Sequence, residues 1–306
     1  MTHPVIRVDH LTKTYGKARG VEDLSFEVRP GEVFGFLGPN GAGKTTTMRV
    51  LLDLLRPTSG RAEVFGMDPR ADAPAIHARL GYLQNETGLV GRSSAGEQLR
   101  YYGDLRGRVR GGSGAEGATW ERVEALAARF QLDLMRPVRQ MSRGNKQKVG
   151  LVQAFMHDPE LLVLDEPTGG LDPLMQQEFN RLVREVKAKG RTIFLSSHIL
   201  SEVEALCDRV GIIRDGRLVA VERTSELKAR AVRHARARFA SPPDPRVLDG
   251  VIGVSQARVE GNEILCSIAG PTGALVKALA AMDALDLSLR EPTLEDVFLA
   301  YYGGST

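Results

Sequence analysis

The stretch that most constrains this chain is Gly38-Pro39-Asn40-Gly41-Ala42-Gly43-Lys44-Thr45-Thr46, a complete Gly-x4-Gly-Lys-Thr phosphate-loop pattern. Its flanks fit as well. Residues 32–37 are an apolar run of strand character, and residues 46–52 carry apolar side chains at helical spacing. A strand, a glycine-rich turn and a helix N-terminus together make an anion site, because backbone N–H groups converge there and the helix dipole favours negative charge. In such a loop Lys44 reaches the β- and γ-phosphates of a nucleotide and the Thr45 hydroxyl ligates Mg²⁺. An ordinary glycine turn before a helix is the competing reading. It does not account for the glycines, the Lys-Thr pair and the strand–helix context together.

With 306 residues the chain has room for a large core and a second domain. Its 42% hydrophobic and 26% charged residues describe a globular protein, not a disordered or fibrous one. A net charge of +3 is too near balance to argue for nucleic acid. Cys207 and Cys266 lie far apart with no metal-ligand spacing, and read as reduced, buried thiols of a reducing compartment. No window of about twenty apolar residues stands out, so no membrane span is expected. Met1-Thr2-His3-Pro4 has neither the charged nor the apolar region of a signal peptide. The expected location is the cytosol, with any membrane role borrowed from a partner.

Residues 5–36 read as short strands joined by turns. Ile6-Arg7-Val8 and Leu24-Ser25-Phe26-Glu27-Val28 alternate, and Arg29-Pro30-Gly31 turns the chain. Tyr15 falls in Lys13-Thr14-Tyr15-Gly16, read as a polar loop. An aromatic there could stack on a purine base or be an ordinary half-buried tyrosine. Residues 61–84 give a strand at 62–66, an acidic, proline-containing connector, and a strand ending in Gly81-Tyr82-Leu83-Gln84. Gln84 could carry its amide to a metal or a water, or be a solvated side chain. From 85 to 140 the character changes. Apolar residues recur at helical spacing over 97–105 and 120–130, and the glycine-rich 110–117 reads as a surface loop. This is the pattern of a helical subdomain, about 85–150, inserted into a nucleotide-binding core. Ser142 stands where a helix cap stands. It is either a plain N-cap or part of a second anion-binding helix N-terminus.

Leu161-Leu162-Val163-Leu164 is a continuous apolar run ending in Asp165-Glu166. A strand buried on both faces belongs in a parallel sheet, and ligands collect at the carboxyl ends of such strands. There Asp165 can hold Mg²⁺ through water, and Glu166 can orient and deprotonate an attacking water. Residues 191–197 form another such strand. His198 closes it at the same edge, where an imidazole can donate to a γ-phosphate oxygen or serve a structural role. Residues 210–219 form a hairpin turning at Asp215-Gly216. After about residue 223 the pattern shifts. Residues 227–238 are basic, a face for anionic lipid or nucleic acid or a solvated one. Ser241-Pro242-Pro243-Asp244-Pro245 breaks the chain, and weak strands with one helix at about 274–282 suggest a small α+β appendage without a catalytic pattern. The sequence holds no second phosphate loop, cassette repeat, Gly-x-Ser-x-Gly elbow or His-Glu-x-x-His motif.

In order, Tyr15, the 38–46 loop, Gln84, the 141–145 turn, Asp165-Glu166, Asp172 and His198 match the motif set of ABC-type ATPases. Over about residues 5–222 the sequence resembles the ATP-binding subunit of an ABC transporter. The resemblance implies an α/β fold. Its P-loop NTPase core, the ABC cassette at 1–222, would carry an antiparallel β subdomain and the inserted helical subdomain. A small C-terminal α+β appendage would follow at 223–306. It implies ATP and Mg²⁺ as ligands. Tyr15 would stack on adenine. Gly38, Pro39, Asn40, Gly41, Ala42, Gly43, Lys44, Thr45 and Thr46 would be the Walker A loop, with Thr45 on the metal. Gln84 would be the Q-loop residue sensing metal, water and the membrane partner. Ser142 and Gly144 would form the signature turn. Asp165 would be the Walker B metal residue, Glu166 the catalytic base, Asp172 the D-loop aspartate and His198 the switch histidine.

The signature departs from the usual Leu-Ser-Gly-Gly-Gln. Here it is Met141-Ser142-Arg143-Gly144-Asn145, which keeps the serine and the second glycine expected to touch the γ-phosphate. Gly169 stands where the D-loop often has serine, while Glu166 and His198 are intact. Family members sandwich ATP between two cassettes, each phosphate loop meeting the signature turn of the opposite subunit. A chain with one cassette therefore implies a homodimer or a paralogue. The tail Glu291-Pro292-Thr293-Leu294-Glu295-Asp296-Val297-Phe298-Leu299 resembles the ends of ATPases from bacterial drug, antibiotic and sodium exporters of the ABC-2 type. Their membrane permease is a separate chain. The expected function is ATP-driven export of a small molecule (a drug, antibiotic or ion) by a peripheral subunit at the cytoplasmic face of the membrane, with no direct nucleic-acid partner. The alternative is a non-transport ABC ATPase acting on nucleic acid or ribosomes, though such proteins usually carry two cassettes or a long insertion.

Overall fold

The computed structural model describes residues 3–16, 18–85, 91–109, 120–230 and 233–290. The chain divides into two compact units, Met1–Glu222 and Arg223–Thr306. The loop expected at 110–117 and the tail motif at 291–299 lie outside the described residues.

In the first unit, strand β1 (Ile6–Tyr15) pairs with β2 (Ala18–Val28). Alternation buries Ile6, Val8 and Leu11 on one strand and Leu24, Phe26 and Val28 on the other. The polar loop expected around Tyr15 is the end of β1, where Tyr15 pairs with Ala18. Backbone pairing carries the strand through polar side chains, and the Thr14 amide donates to Thr58 Oγ1 at 3.0 Å. Strand β3 (Val33–Leu37) is buried at every position and leads into α1 (Lys44–Leu51), which buries Met48, Val50 and Leu51. Strand β4 (Ser59–Val64) completes an antiparallel sheet in the order β2-β1-β4. The stretch read as a bare connector holds α2 (Ala73–Arg79). Only its Ile76 is buried, so it has no apolar stripe to read in the sequence.

Strand β5 (Leu80–Leu83) is followed by α3 (Ala95–Val109), which opens on a reciprocal cap. The Glu97 amide donates to Ser94 Oγ at 3.2 Å, and the Ser94 amide to Glu97 Oε2 at 2.7 Å. Helix α4 (Trp120–Arg129) buries Val123, Leu126 and Ala127. Helix α5 (Arg143–Phe155) starts at Ser142, whose Oγ accepts from the Asn145 amide at 3.3 Å. Strand β6 (Leu161–Asp165), α6 (Pro173–Ala188), β7 (Thr192–Ser197), α7 (Leu200–Leu206) and the hairpin of β8 (Arg209–Arg214) and β9 (Arg217–Arg223) follow.

The six-stranded sheet runs β5-β6-β7-β3-β8-β9, and its first five strands are parallel. Phe26 of β2 stacks on Phe34, Phe36 and Phe194 of this sheet with ring centroids 5.4 to 5.9 Å apart, so the two sheets share one core. Each buried ring contributes about 1.5–3 kcal/mol of transfer free energy. The β8–β9 turn places Asp215 at φ 49° and Gly216 at φ 77°, the left-handed pair of a tight hairpin. Gly216 donates its N–H to Ala42 O at 3.1 Å and accepts from the Glu22 amide at 2.7 Å. The turn thereby ties β2 to the phosphate loop.

The second unit contains α8 (Thr224–Arg230), β10 (Arg233–Arg238), β11 (Val254–Glu260), β12 (Glu263–Ile268), α9 (Gly273–Ala280) and β13 (Asp286–Arg290). Its sheet is antiparallel in the order β11-β12-β10-β13. Much of the basic stretch is strand. Ala235 and Ala237 pack with Ile264, Cys266, Ile268, Leu275 and Leu279, while His234, Arg236 and Arg238 are exposed. Cys207 and Cys266 are buried thiols outside any disulfide, and burial pushes each above its ordinary pKa.

Candidate active site

Strands β6, β7 and β3 lie side by side and run the same way, so their carboxyl ends meet on one rim. Glu166, His198 and Gly38 are the residues immediately after them. The turn after β3 is dictated by close packing. A Cβ at Gly38 would come within 2.4 Å of Ile213 O, and one at Gly43 within 2.4 Å of Val21 Cγ1. Gly43 also sits at φ 109°, where a side chain is strained. Lys44 folds back over the loop. Its Nζ donates to Gly38 O at 2.6 Å and Pro39 O at 3.2 Å, and lies 3.1 Å from Glu166 Oε1. Beside the start of α1 is a cavity of about 310 Å³, lined by Tyr15, Arg19, Gly20, Pro39, Asn40, Gly41, Gly43, Lys44, Thr45, Thr46, Asn85 and Glu166.

Asp165 is fully buried at the end of β6. Its Oδ2 accepts from Thr45 Oγ1 at 2.7 Å and its Oδ1 from Ser196 Oγ at 2.5 Å. Glu166 takes φ 50°, a left-handed conformation that costs a non-glycine residue about 1–3 kcal/mol and persists only when its surroundings hold it. They do. Its amide donates to Ser196 Oγ at 3.0 Å, and its Oε2 lies 2.6 Å from His198 Nδ1. Oε1 has the ionic contact with Lys44 but no hydrogen bond of good geometry, an acceptor left over beside the cavity. Thr168 Oγ1 and Ser197 Oγ both donate to Glu202, the latter at 2.9 Å. Burial holds Glu202 above the ordinary carboxylate range despite these donors, and the nearby Glu166 charge adds to the effect. Burial, with the Asp165 charge, pushes the Tyr82 phenol up to about 12, so it stays neutral. Thr45 and Asp165 offer oxygen donors alone, which suit a hard cation such as Mg²⁺.

Of the residues read from sequence, Tyr15, Pro39, Asn40, Gly41, Gly43, Lys44, Thr45, Thr46 and Glu166 line the cavity. Tyr15 Oη is 3.4 Å from Thr46 Oγ1. Gly38 and Ala42 frame the loop through their carbonyls. Gln84 is exposed after β5, and it is the next residue, Asn85, that lines the cavity. Ser142, Gly144 and Asp172 lie outside the lining of this cavity. Ser142 caps α5, and Gly144 packs so close to the 166–170 turn that a Cβ would come within 2.4 Å of Gly170 O. Asp172 caps α6, accepting from the Leu174 and Met175 amides at 3.1 and 3.0 Å. Sequence reasoning missed Ser196, whose place opposite Asp165 depends on strand register. It also missed Gln147, Glu202, Arg19, Gly20 and Asn85, which carry no motif. Arg19 reaches the cavity from β2 while its Nε pairs with Glu22 at 3.0 Å.

The family model described as ABC transporter matches residues 21–169. The bacitracin transport ATP-binding protein of Bacillus licheniformis is 36% identical, over 99% of this chain and 98% of its own length. A daunorubicin resistance ATP-binding protein of Streptomyces coeruleorubidus is 35% identical, over 99% and 97%. A solved structure described as the ATP binding subunit of an ABC transporter superposes with a TM-score of 0.66 at 32% identity, covering 73% of this chain and 92% of that one. A full-length match to such relatives, with the same fold and a phosphate loop at the rim of its parallel sheet, means that the chain belongs to the ATP-binding subunits of the ABC transporter family.

Proposed function

We propose that two copies of this chain, or this chain and a paralogue, close around ATP and use its hydrolysis to export a small antibiotic-like compound through a separate ABC-2 type permease. The observation that carries the ATPase reading is the run of contacts from Lys44 through Glu166 to His198, beside the Thr45–Asp165 hydrogen bond. In this reading the nucleotide occupies the cavity beside α1, with its base against Tyr15. Lys44 turns from the loop carbonyls to the phosphate oxygens. Glu166 takes a proton from the attacking water as that water's oxygen bonds to the γ-phosphorus and the bond to ADP breaks. His198 fixes the orientation of Glu166 through Oε2. Thr45 and Asp165 would hold Mg²⁺, which supplies positive charge against the phosphates when bound. The role expected of Gln84 passes to Asn85, which lines the cavity.

Ser142 and Gly144 lie outside the lining of their own chain's cavity, which supports their serving the nucleotide of a second subunit. The names of the bacitracin and daunorubicin relatives support an antibiotic-like cargo. No helix among the described residues is long and apolar enough to cross a membrane. We place the chain peripherally, at the cytoplasmic face of its permease. The test is co-expression with that permease in a drug-sensitive host. Wild type lowers drug accumulation. Glu166→Gln abolishes this, cuts steady-state phosphate release by about a thousandfold and leaves an ATP-bound dimer on gel filtration. Undiminished phosphate release in the variant removes Glu166 as the base. Hydrolysis by the wild type with no effect on accumulation removes the export reading.

A further inference from the structure

Gln147 lies one turn into α5 and is 3% exposed. A buried amide needs partners, and Gln147 finds them in the backbone of another segment. Its Nε2 donates to Glu166 O at 3.1 Å and to Pro167 O at 3.0 Å. These carbonyls leave the sheet because Glu166, at φ 50°, turns the chain out of β6. Within the turn, Gly169 N returns to Glu166 O at 3.1 Å. Three residues before Gln147, on the same face of α5, Gly144 rests against Gly170, where a Cβ would come within 2.4 Å of Gly170 O. The turn from Glu166 to Gly170 is therefore fastened to α5 near both its ends.

We infer that Gln147 is a positioning residue that makes the N-terminus of α5, with Ser142 and Gly144, and the Glu166 turn one rigid unit. Whatever touches Ser142 and Gly144 then sets the placement of the Glu166 carboxylate. The inference rests on the composite-site reading above, in which those two residues meet the nucleotide of the opposite subunit. Nucleotide held by one subunit acts through its partner's α5 on the partner's Glu166. The two sites are thereby coupled, and hydrolysis rises steeply with ATP. The leverage is large, since a misplacement of about 1 Å in a reacting group can cost about a hundredfold in rate.

The full-length protein tests this. Gln147→Met keeps the length and bulk of the side chain and removes the donor. It is expected to leave the dissociation constant for ATP within about twofold, to lower kcat about tenfold, and to bring a Hill coefficient above one down to about one. Gln147→Glu, with a carboxylate oxygen against two carbonyls, is expected to lower kcat further. A loss of activity that only follows the folded fraction, with wild-type steepness retained, overturns the inference. So does an unchanged kcat. Should the variants fail to fold, amide exchange in the wild type reads the same link. ATP then slows exchange in 143–147 and 166–170 together, and independent responses of the two segments overturn the proposal. A wild type with hyperbolic ATP dependence and no ATP-driven dimer sinks the composite site itself, and this inference with it.

Discussion

The parallel sheet of the first unit and the antiparallel sheet of the second treat the ends of their strands differently. In the parallel sheet β6, β7 and β3 stop on one rim, so the residue after each strand, Glu166, His198 or Gly38, stands beside the other two. In the antiparallel sheet β10 and β12 stop at opposite rims, because Arg238 pairs with Glu263 and Arg233 with Ile268. The interiors differ as well. Strand β6 is buried at all five positions, whereas β10 alternates buried alanine with exposed arginine. Chemistry in the first unit is thus gathered by topology at one place, while the second sheet spreads its charges over a face. The exposed Arg236 of that face is paired with Glu263 at 2.5 Å.

Three substitutions press on this contrast. Lys44→Ala removes the cation on which the phosphate loop and Glu166 converge, and leaves Glu166 Oε1 without its ionic contact while Oε2 keeps His198. ATP affinity, read with a fluorescent nucleotide, is expected to fall by at least about a hundredfold. A fall of less than about tenfold would break the claim that the rim is a single site. Ser196→Ala comes next. It strips a partner from both Asp165 Oδ1 and the Glu166 amide, so turnover is expected to drop about tenfold with little change in KM. Ser267→Ala is the matched control. Ser267 is also a buried strand serine, but its hydroxyl meets His234 and Gln256, each at 3.3 Å. The expected cost is about 1 kcal/mol of stability by thermal unfolding, with turnover within about twofold of wild type. Equal losses of turnover at the two serines would erase the distinction between the sheets.

The phosphate loop was legible because its glycines and Lys-Thr pair answer to one chemistry, and the strand ends were legible because a fully apolar run must be buried on both faces. What depends on alignment between segments was not. Ser196 looks like any strand serine until β7 is laid against β6 and sets it opposite Asp165. Gln84, just past β5, is exposed while Asn85 after it lines the cavity, a one-residue difference outside the strand that no periodicity marks. Helix α2 was missed because one buried isoleucine makes no period. The capping role of Asp172 did have a local signal, since Pro173 directly after it is the usual first residue of a helix.

The Asp215-Gly216 turn has a consequence for the spacing of two walls of the cavity. Gly216 bonds on one side to Ala42, inside the phosphate loop, and on the other to Glu22, in the strand paired with the one that carries Tyr15. Tyr15 and Lys44, which line the cavity from those two segments, are held like the jaws of a caliper locked at one gape.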